Sequence, residues 1–322
     1  MSDLPGVITS HRYGKDLVRV VRVVRDKTAD GNEIHHIIEY TIRALLDGKI
    51  ETSYTQADNT CVVPTDTVKN TCNFFAKTSP HVLDPSAFAL HLGTHFVTRY
   101  DHISKCYIDL SSHKWSRISV KGVPHKWSFV RDGNEKQTVS LVIDAADKSD
   151  LKAVLTPGLK DLHVLKTSGS AFENFWRDEL TTLVAVQDRI FSTSVTATYT
   201  IPLPPNLPLS IDNIPLIAKE LNFPEIADKV RQDTIEVFAT DESASVQATL
   251  YNTCQKVLVS CPAVTEISYA LPNKHYIPVN LSAFKLDNGL GYEGGAEVFY
   301  PAPDPSGWIE ATVARKSTLH KL

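Results

Sequence analysis

The chain has 322 residues, of which 42% are hydrophobic and 22% charged, enough for a large buried core in one large domain or two. Its formal net charge of −4 gives no global attraction to nucleic acid or to an anionic membrane surface. The longest apolar runs are strand-sized, well below the roughly 20 residues of a spanning helix. The N-terminal "MSDLPGVITSHRYGKDL" has no basic stretch followed by an apolar one, so a soluble intracellular chain is expected. Cysteines 61, 72, 106, 254 and 261 form no C-x-x-C pair and read as buried thiols rather than a disulfide or zinc framework. The histidines form no H-E-x-x-H cluster, and His35 and His36 fall on opposite faces of a strand.

In chain order, "VRVVRVVRD" (18–26) and the alternating "IHHIIEYTIR" read as two strands joined by a hairpin at Asp30-Gly31. Arg19, Arg22 and Arg25 lack an aromatic platform, which favours a solvated or inter-subunit surface over nucleic-acid binding. A helix follows, with Asp66 as N-cap and Val68, Cys72 and Phe75 on one stripe. A second helix has Asp84 as cap, Pro85 in its first turn, and Phe88, Leu92, Phe96 and Tyr100 as a core face. "HISKCYIDLSS" and "HKWSFVRDGNEKQTVSLVID" read as further strands, with a hairpin turning at Asp132-Gly133. The polar "DAADKSDLKAV" (144–154) marks a domain boundary, placing domains at 1–149 and 150–322.

The second half repeats the order. "LKDLHVLKTS" and "STSVTATYTI" are strands, and a proline-rich surface loop, "PLPPNLPLSIDNIP", precedes two helices, "PEIADKVRQDTIEVFAT" and "SVQATLYNTCQKVLVSC". "SYALPNKHYIPV" (268–279) and "AEVFYP…GWIEATVARK" close the chain as strands. The shared order suggests a duplicated, antiparallel α+β half. In strand 264–277, Ile267, Tyr269, Leu271, Asn273, His275 and Ile277 share a face, with Lys274 on the other. An apolar face that ends in Asn and His is either a strand leaving the core for a cleft or a strand end with two satisfied polar groups. Pro272 is a point at which this alternation can break.

Taken together, "YGKDLVRV" (13–20), "ADN" (57–59), "VVPTDTVKNT" (62–71), "LKDLHVLKTSGSAFENF" (159–175), "RDELTTL", "DRIFST", "SVQATLYN" (245–252), "SYALPNKHY" (268–276) and "EVFYPAP" (297–303) span nearly the whole chain. By these stretches the chain resembles the urate oxidases (uricases) of fungi and other eukaryotes. The resemblance implies two tandem tunnelling-fold (T-fold) domains, antiparallel sheets with helices on one face, assembled into a barrel-forming homotetramer with active sites at subunit interfaces. It implies oxidation of urate by O2 and water to 5-hydroxyisourate and H2O2, with no metal and no organic cofactor.

Residue by residue, the resemblance makes Lys15 and Thr65 a catalytic dyad, with His275 completing a proton relay. A threonine hydroxyl is a poor base alone, and a lysine whose pKa is lowered by burial and neighbouring charge can take its proton. Phe172 matches the aromatic under the flat purine, Arg189 the planar two-pronged donor to a urate carbonyl and ring nitrogen, and Gln247 the amide at the opposite edge. Val246 and Asp66 match backbone contacts, and Asn273 with Thr65 the residues that hold O2 and then water above the ring. "KTSGS" departs from the commoner Lys-Ser-Thr order, Leu180 stands where an aromatic is commoner, and the proline-rich loop differs from many relatives.

The alternatives are a pterin-acting enzyme of the same fold class, whose metal-using members need a His or Cys cluster that is missing here, and an inactive urate-binding protein, against which Lys15, Thr65 and His275 argue. The chain ends in His320-Lys321-Leu322, a looser form of the Ser-Lys-Leu peroxisomal address. A peroxisomal import receptor is therefore an expected partner, and the peroxisome the expected location.

Overall fold

A computed structural model of the chain describes residues 5–291 and 295–316. His320, Lys321 and Leu322 lie outside the described residues. The fold has two compact units, Met1–Gly158 with Thr200–Ile226, and Leu159–Tyr199 with Ala227–Leu322. This is not a single cut near residue 150. The proline-rich segment returns to the first unit because α4 (Ile214–Leu221) buries Ile214 and Ile217 and packs on α3 (Pro85–Arg99).

In the first unit, β1 (Tyr13–Lys27), β2 (Glu33–Gly48), β3 (Ile103–Val120) and β4 (Val123–Asp144) pair as antiparallel neighbours in sequence order. Between β2 and β3 come α1 (Glu51–Thr55), α2 (Thr65–Thr78) and α3. Asp84 caps α3 as its sequence predicts, accepting the Ser86 and Ala87 amides at 2.9 and 3.1 Å. Phe88, Leu92 and Phe96 are fully buried, and a Cβ on Gly93 would meet Ile143 and Leu141 of β4 at 3.0 and 3.1 Å. The helix therefore rests directly on the sheet, burying the alternate residues Ile42, Ala44, Leu46, Cys106 and Ile108.

Two local expectations give way to register. The β3–β4 hairpin turns at Lys121-Gly122, both at positive φ, between the paired Val120 and Val123. Asp132-Gly133 instead lies within β4, at a bulge where pairing jumps from Trp115↔Arg131 to His113↔Lys136. An Asp-Gly pair suits a hairpin and a bulge equally. The apolar ladder Leu110↔Val139, Ile108↔Leu141, Cys106↔Ile143 chose between them. Asp66 is not the cap of α2 either. Pro64 occupies that position with no side-chain cap, while Asp66, inside the first turn, binds Lys69 and Asn70.

The second unit holds β5 (Lys152–Lys166, begun in the first unit), β6 (Phe191–Thr200), β7 (Glu266–Pro278) and β8 (Phe299–Ala314), again neighbours in sequence order. α5 (Phe223–Thr240) and α6 (Val246–Ser260) precede β7. Fully buried Tyr269 of β7 meets Thr234 of α5 through their hydroxyls at 2.7 Å.

Both units close their main helix in the same way. After β4, the Lys148 ammonium donates to the carbonyls of Val97 (2.6 Å), Tyr100 (3.2 Å) and Ile103, at the C-terminal end of α3. After β8, the Arg315 guanidinium donates to Leu258, Cys261 (3.0 Å) and Val264 (2.7 Å), at the end of α6. The three acceptors are spaced three residues apart in both cases. A cation here satisfies carbonyls that the helix leaves unpaired and meets the negative end of its dipole. Lys148→Met and Arg315→Met are each expected to destabilise the chain by about 1–3 kcal/mol, and Lys148→Arg by less, read from urea unfolding.

Candidate active site

The nine predicted residues fall into two groups. Lys15, Thr65 and Asp66 belong to the first unit. Phe172, Arg189, Val246, Gln247, Asn273 and His275 belong to the second.

In the first group, Tyr13 and Lys15 lie opposite Leu46 and Ala44, on the helix-covered face of the sheet. Asp16 and Leu17 then bulge out against the single Arg43 of β2, one extra residue, with Leu17 at φ 54°, so that Val18 faces the same way as Lys15. Without that bulge, one alternating strand could not present both Lys15 and the buried Val18 to the helices. The β1 backbone comes so close to β2 that a Cβ on Gly14 would sit 2.0 Å from the Ala44 carbonyl oxygen. The Tyr13 hydroxyl accepts the Val63 amide at 2.8 Å, tying Lys15, two residues along β1, to Thr65, two residues beyond Val63. Thr65 is exposed at the start of α2, whose first amides have no side-chain cap. Asp66 is held below the ordinary carboxylate range by Lys69 first, then by Asn70 and by the charge of Lys15. Lys15 thus lies within electrostatic reach of the open N-terminus of α2, where the helix dipole favours an anion.

In the second group, the Arg189 guanidinium carbon stands 5.3 Å from the centre of the Phe172 ring. Burial lowers the guanidinium pKa, but arginine remains a cation. Phe172 exchanges two backbone hydrogen bonds with Val186, at 2.7 and 3.0 Å. The neighbouring Asp188 carboxylate accepts the Ser168 hydroxyl and the Gly169 amide, both at 2.7 Å. Burial alone would raise the Asp188 pKa. The Ser168 hydroxyl and the amides of Gly169, Ser170 and Arg189 outweigh it and hold the pKa below the ordinary value. The ionised Asp188 therefore contributes stability above the unfolded carboxylate pKa, and that contribution is lost as pH falls through the lowered folded value.

Ser243 joins this loop to α6. Its amide donates to Gly169 O at 3.1 Å, its carbonyl accepts the Ala171 amide at 2.7 Å, and its hydroxyl donates to Ser245 O at 3.1 Å. Ser245 is the N-cap of α6, accepting the Ala248 amide at 3.1 Å. Thr249 donates to the Asp241 carboxylate at 2.7 Å, and Lys166 donates to the Asp241 carbonyl at 2.6 Å. This clamp fixes buried Val246 and exposed Gln247 relative to Phe172 and Arg189. Among the described residues the Gln247 and Asn273 side chains have no hydrogen-bond partner, so both amides are available to a ligand.

On β7 the predicted face holds through Ile267, Tyr269 and Leu271, all buried, to half-buried Asn273. The ladder then slips: β7 advances two residues to His275 while its partner moves from Gly307 to Ala302. Pro272 is still paired, with Trp308, so the break comes one residue after it. His275 is exposed. Lys274 acts elsewhere, helping burial to lower the pKa of His163 on β5.

Tyr13, Asp188, Asp241, Ser243 and Thr249 were not singled out by sequence reasoning. For Asp241 and Ser243 the only local signal is the run of small polar residues "TDESAS" before α6, which reads as loop. Among the described residues no group of three or more His, Cys, Asp or Glu is arranged to hold a metal ion.

The Uricase family model matches residues 11–142 and 155–310. The uricase of Schizosaccharomyces pombe is 42% identical over 305 residues, covering 94% of this chain and 96% of that one. The uricase of Aspergillus flavus is 40% identical over 316 residues, covering 98% and 99%. A crystal structure of the uricase from Arthrobacter globiformis matches with a TM-score of 0.80 at 32% identity, over 97% of this chain and 96% of the other. With matches of this extent in both sequence and structure, the chain belongs to the uricase family.

Proposed function

We infer that the chain oxidises urate with O2 as electron acceptor, yielding 5-hydroxyisourate and H2O2. Urate loses two electrons to O2, water adds its oxygen to the ring, and the protons released leave with the peroxide. The observation that carries this reading is the Arg189 guanidinium beside the Phe172 ring, clamped to the N-terminus of α6. An aromatic face bordered by a planar cation suits a flat, anionic, carbonyl-bearing heterocycle. The family relationship selects urate from that class, and neither a pterin substrate nor an inactive urate binder is favoured by the relatives.

In this reading Phe172 stacks under the purine, Arg189 donates two parallel hydrogen bonds to one edge, and the free Gln247 amide pairs with the other. The backbone of Val246 and of Asp66 at the two helix N-termini supplies further donors. Asn273 and Thr65 hold O2, and later water, over the ring. Lys15 accepts the proton that the Thr65 hydroxyl passes on, and His275 completes the relay. The reaction needs neither metal nor organic cofactor in this scheme, because the urate anion itself reduces O2 and the protein orients and deprotonates it.

The two groups of residues would complete one another across a subunit boundary in a homotetramer of tandem tunnelling-fold domains. Three observations support this assembly. The site residues are divided between two compact units. The two units share the same helix-end cation device. Among the described residues β1 and β8 each have a strand neighbour on one side only, which leaves edges for pairing with another copy. The terminal His-Lys-Leu would direct the chain to the peroxisome through an import receptor, where the H2O2 formed can be destroyed.

Purified chain treated with chelator is expected to consume urate, followed by its ultraviolet absorbance, with H2O2 appearing in equal amount. Activity abolished by chelation would overturn the cofactor-free scheme. Lys15→Met is expected to lower kcat about 100-fold or more, as loss of a general base does, and full turnover would remove Lys15 from the relay. Lys15→Met and Arg189→Met chains, each inactive alone, are expected on co-expression to recover about a quarter of wild-type activity, the random share of sites with both halves intact. No recovery would place both halves in one chain.

A further inference from the structure

The substrate platform has a built back. Phe172 and Phe175 stack face to face, ring centres 5.0 Å apart and planes 10° from parallel. On Phe175, the Arg177 guanidinium carbon lies 5.1 Å from the ring centre, and the same guanidinium donates to the Leu183 carbonyl at 2.9 Å. Rings three residues apart in a loop do not meet unless the chain folds back between them. Asn174 supplies that fold at φ 58°, a left-handed conformation that asparagine adopts more readily than most residues. The sequence "FENF" thus encodes a column of Phe172, Phe175 and Arg177.

We propose that Phe175, set by Asn174 and covered by Arg177, is a positioning residue for urate: it holds the Phe172 ring flat and preformed as the stacking surface. The proposal rests on the reading of Phe172 as the purine platform. Phe172 is only half-buried and its loop is anchored at its ends, by Ser243 on one side and Val186 on the other. Phe172 itself lies outside the helices and strands, so without Phe175 its ring would sample other rotamers, and each substrate would bear the cost of ordering it. Phe175 touches neither substrate nor oxygen in this arrangement. Its loss weakens stacking equally in the ground and transition states, which raises KM and leaves kcat nearly unchanged.

The test compares steady-state kinetics of five variants with wild type, with thermal unfolding of each as a check on folding. Phe175→Leu is expected to raise KM for urate about three- to tenfold, the worth of one aromatic pair, with kcat within about twofold. Phe175→Tyr restores the wild-type KM. Asn174→Gly, which keeps the left-handed turn, behaves as wild type, whereas Asn174→Val, which keeps both rings but disfavours the turn, reproduces the KM rise. Phe172→Leu separates the two readings. If Phe172→Leu raises KM while Phe175→Leu and Asn174→Val do not, the supporting column is overturned and the platform stands. If Phe172→Leu leaves KM unchanged, both fall. A drop in kcat at unchanged KM for Phe175→Leu would also overturn the proposal.

Discussion

A helix that lies flat on a sheet must still satisfy the carbonyl groups at its C-terminal end, and this requirement organises both units of the chain. α3 and α6 each pack against a sheet, and each is finished by a cation delivered from just beyond a strand, β4 or β8. Lys148 and Arg315 each reach three carbonyls with the same spacing. In each case one side chain ties together the helix end, the loop after it and the exit of a strand more than forty residues further along the chain. The negative ends of these helices are thereby closed. The candidate site uses helix N-termini instead, those of α2 and α6, where backbone amides point toward incoming negative charge.

The two groups of site residues are held by different means, and each suits its chemistry. Lys15 and Thr65 are linked through backbone: a close strand approach that only Gly14 permits, and one hydrogen bond from the Val63 amide to Tyr13. The lysine is thus placed through the backbone, and among the described residues no salt bridge engages its side chain. Phe172, Arg189, Val246 and Gln247 are linked through a polar clamp centred on Ser243, with the Asp188 and Asp241 carboxylates as anchors. A rigid frame of this kind is what a stacking surface and a two-pronged donor need, since misplacement by about an ångström forfeits most of their advantage.

What could be read along the chain was whatever depends on neighbours in sequence. Asp84 ahead of Pro85 announces the start of α3, and the four-residue recurrence of Phe88, Leu92 and Phe96 announces its buried face. Failures came where two distant strands had to agree on register. Asp132-Gly133 looked like the hairpin turn and is a bulge, because the ladder from Leu110 to Cys106 outweighs a local turn preference. Asp66 looked like a cap, but α2 is entered two residues earlier, at Pro64, beside the bond between the Val63 amide and Tyr13. The face of β7 was read correctly as far as Asn273, and the slip before His275 is set by β8, thirty residues away.

The sequence alone determined the order of strands and helices, the duplicated α+β pattern and, through its distinctive stretches, the family and its chemistry. Those follow from short-range preferences and from residue identities that survive whatever the packing. Only the tertiary structure decided which residues hold the site in place. Ser243, Asp188, Asp241 and Tyr13 are small polar residues or an ordinary tyrosine, and nothing in their immediate neighbours marks them. Their importance lies in hydrogen bonds that reach partners up to 75 residues distant, and such bonds exist only once the chain has folded and brought those partners together.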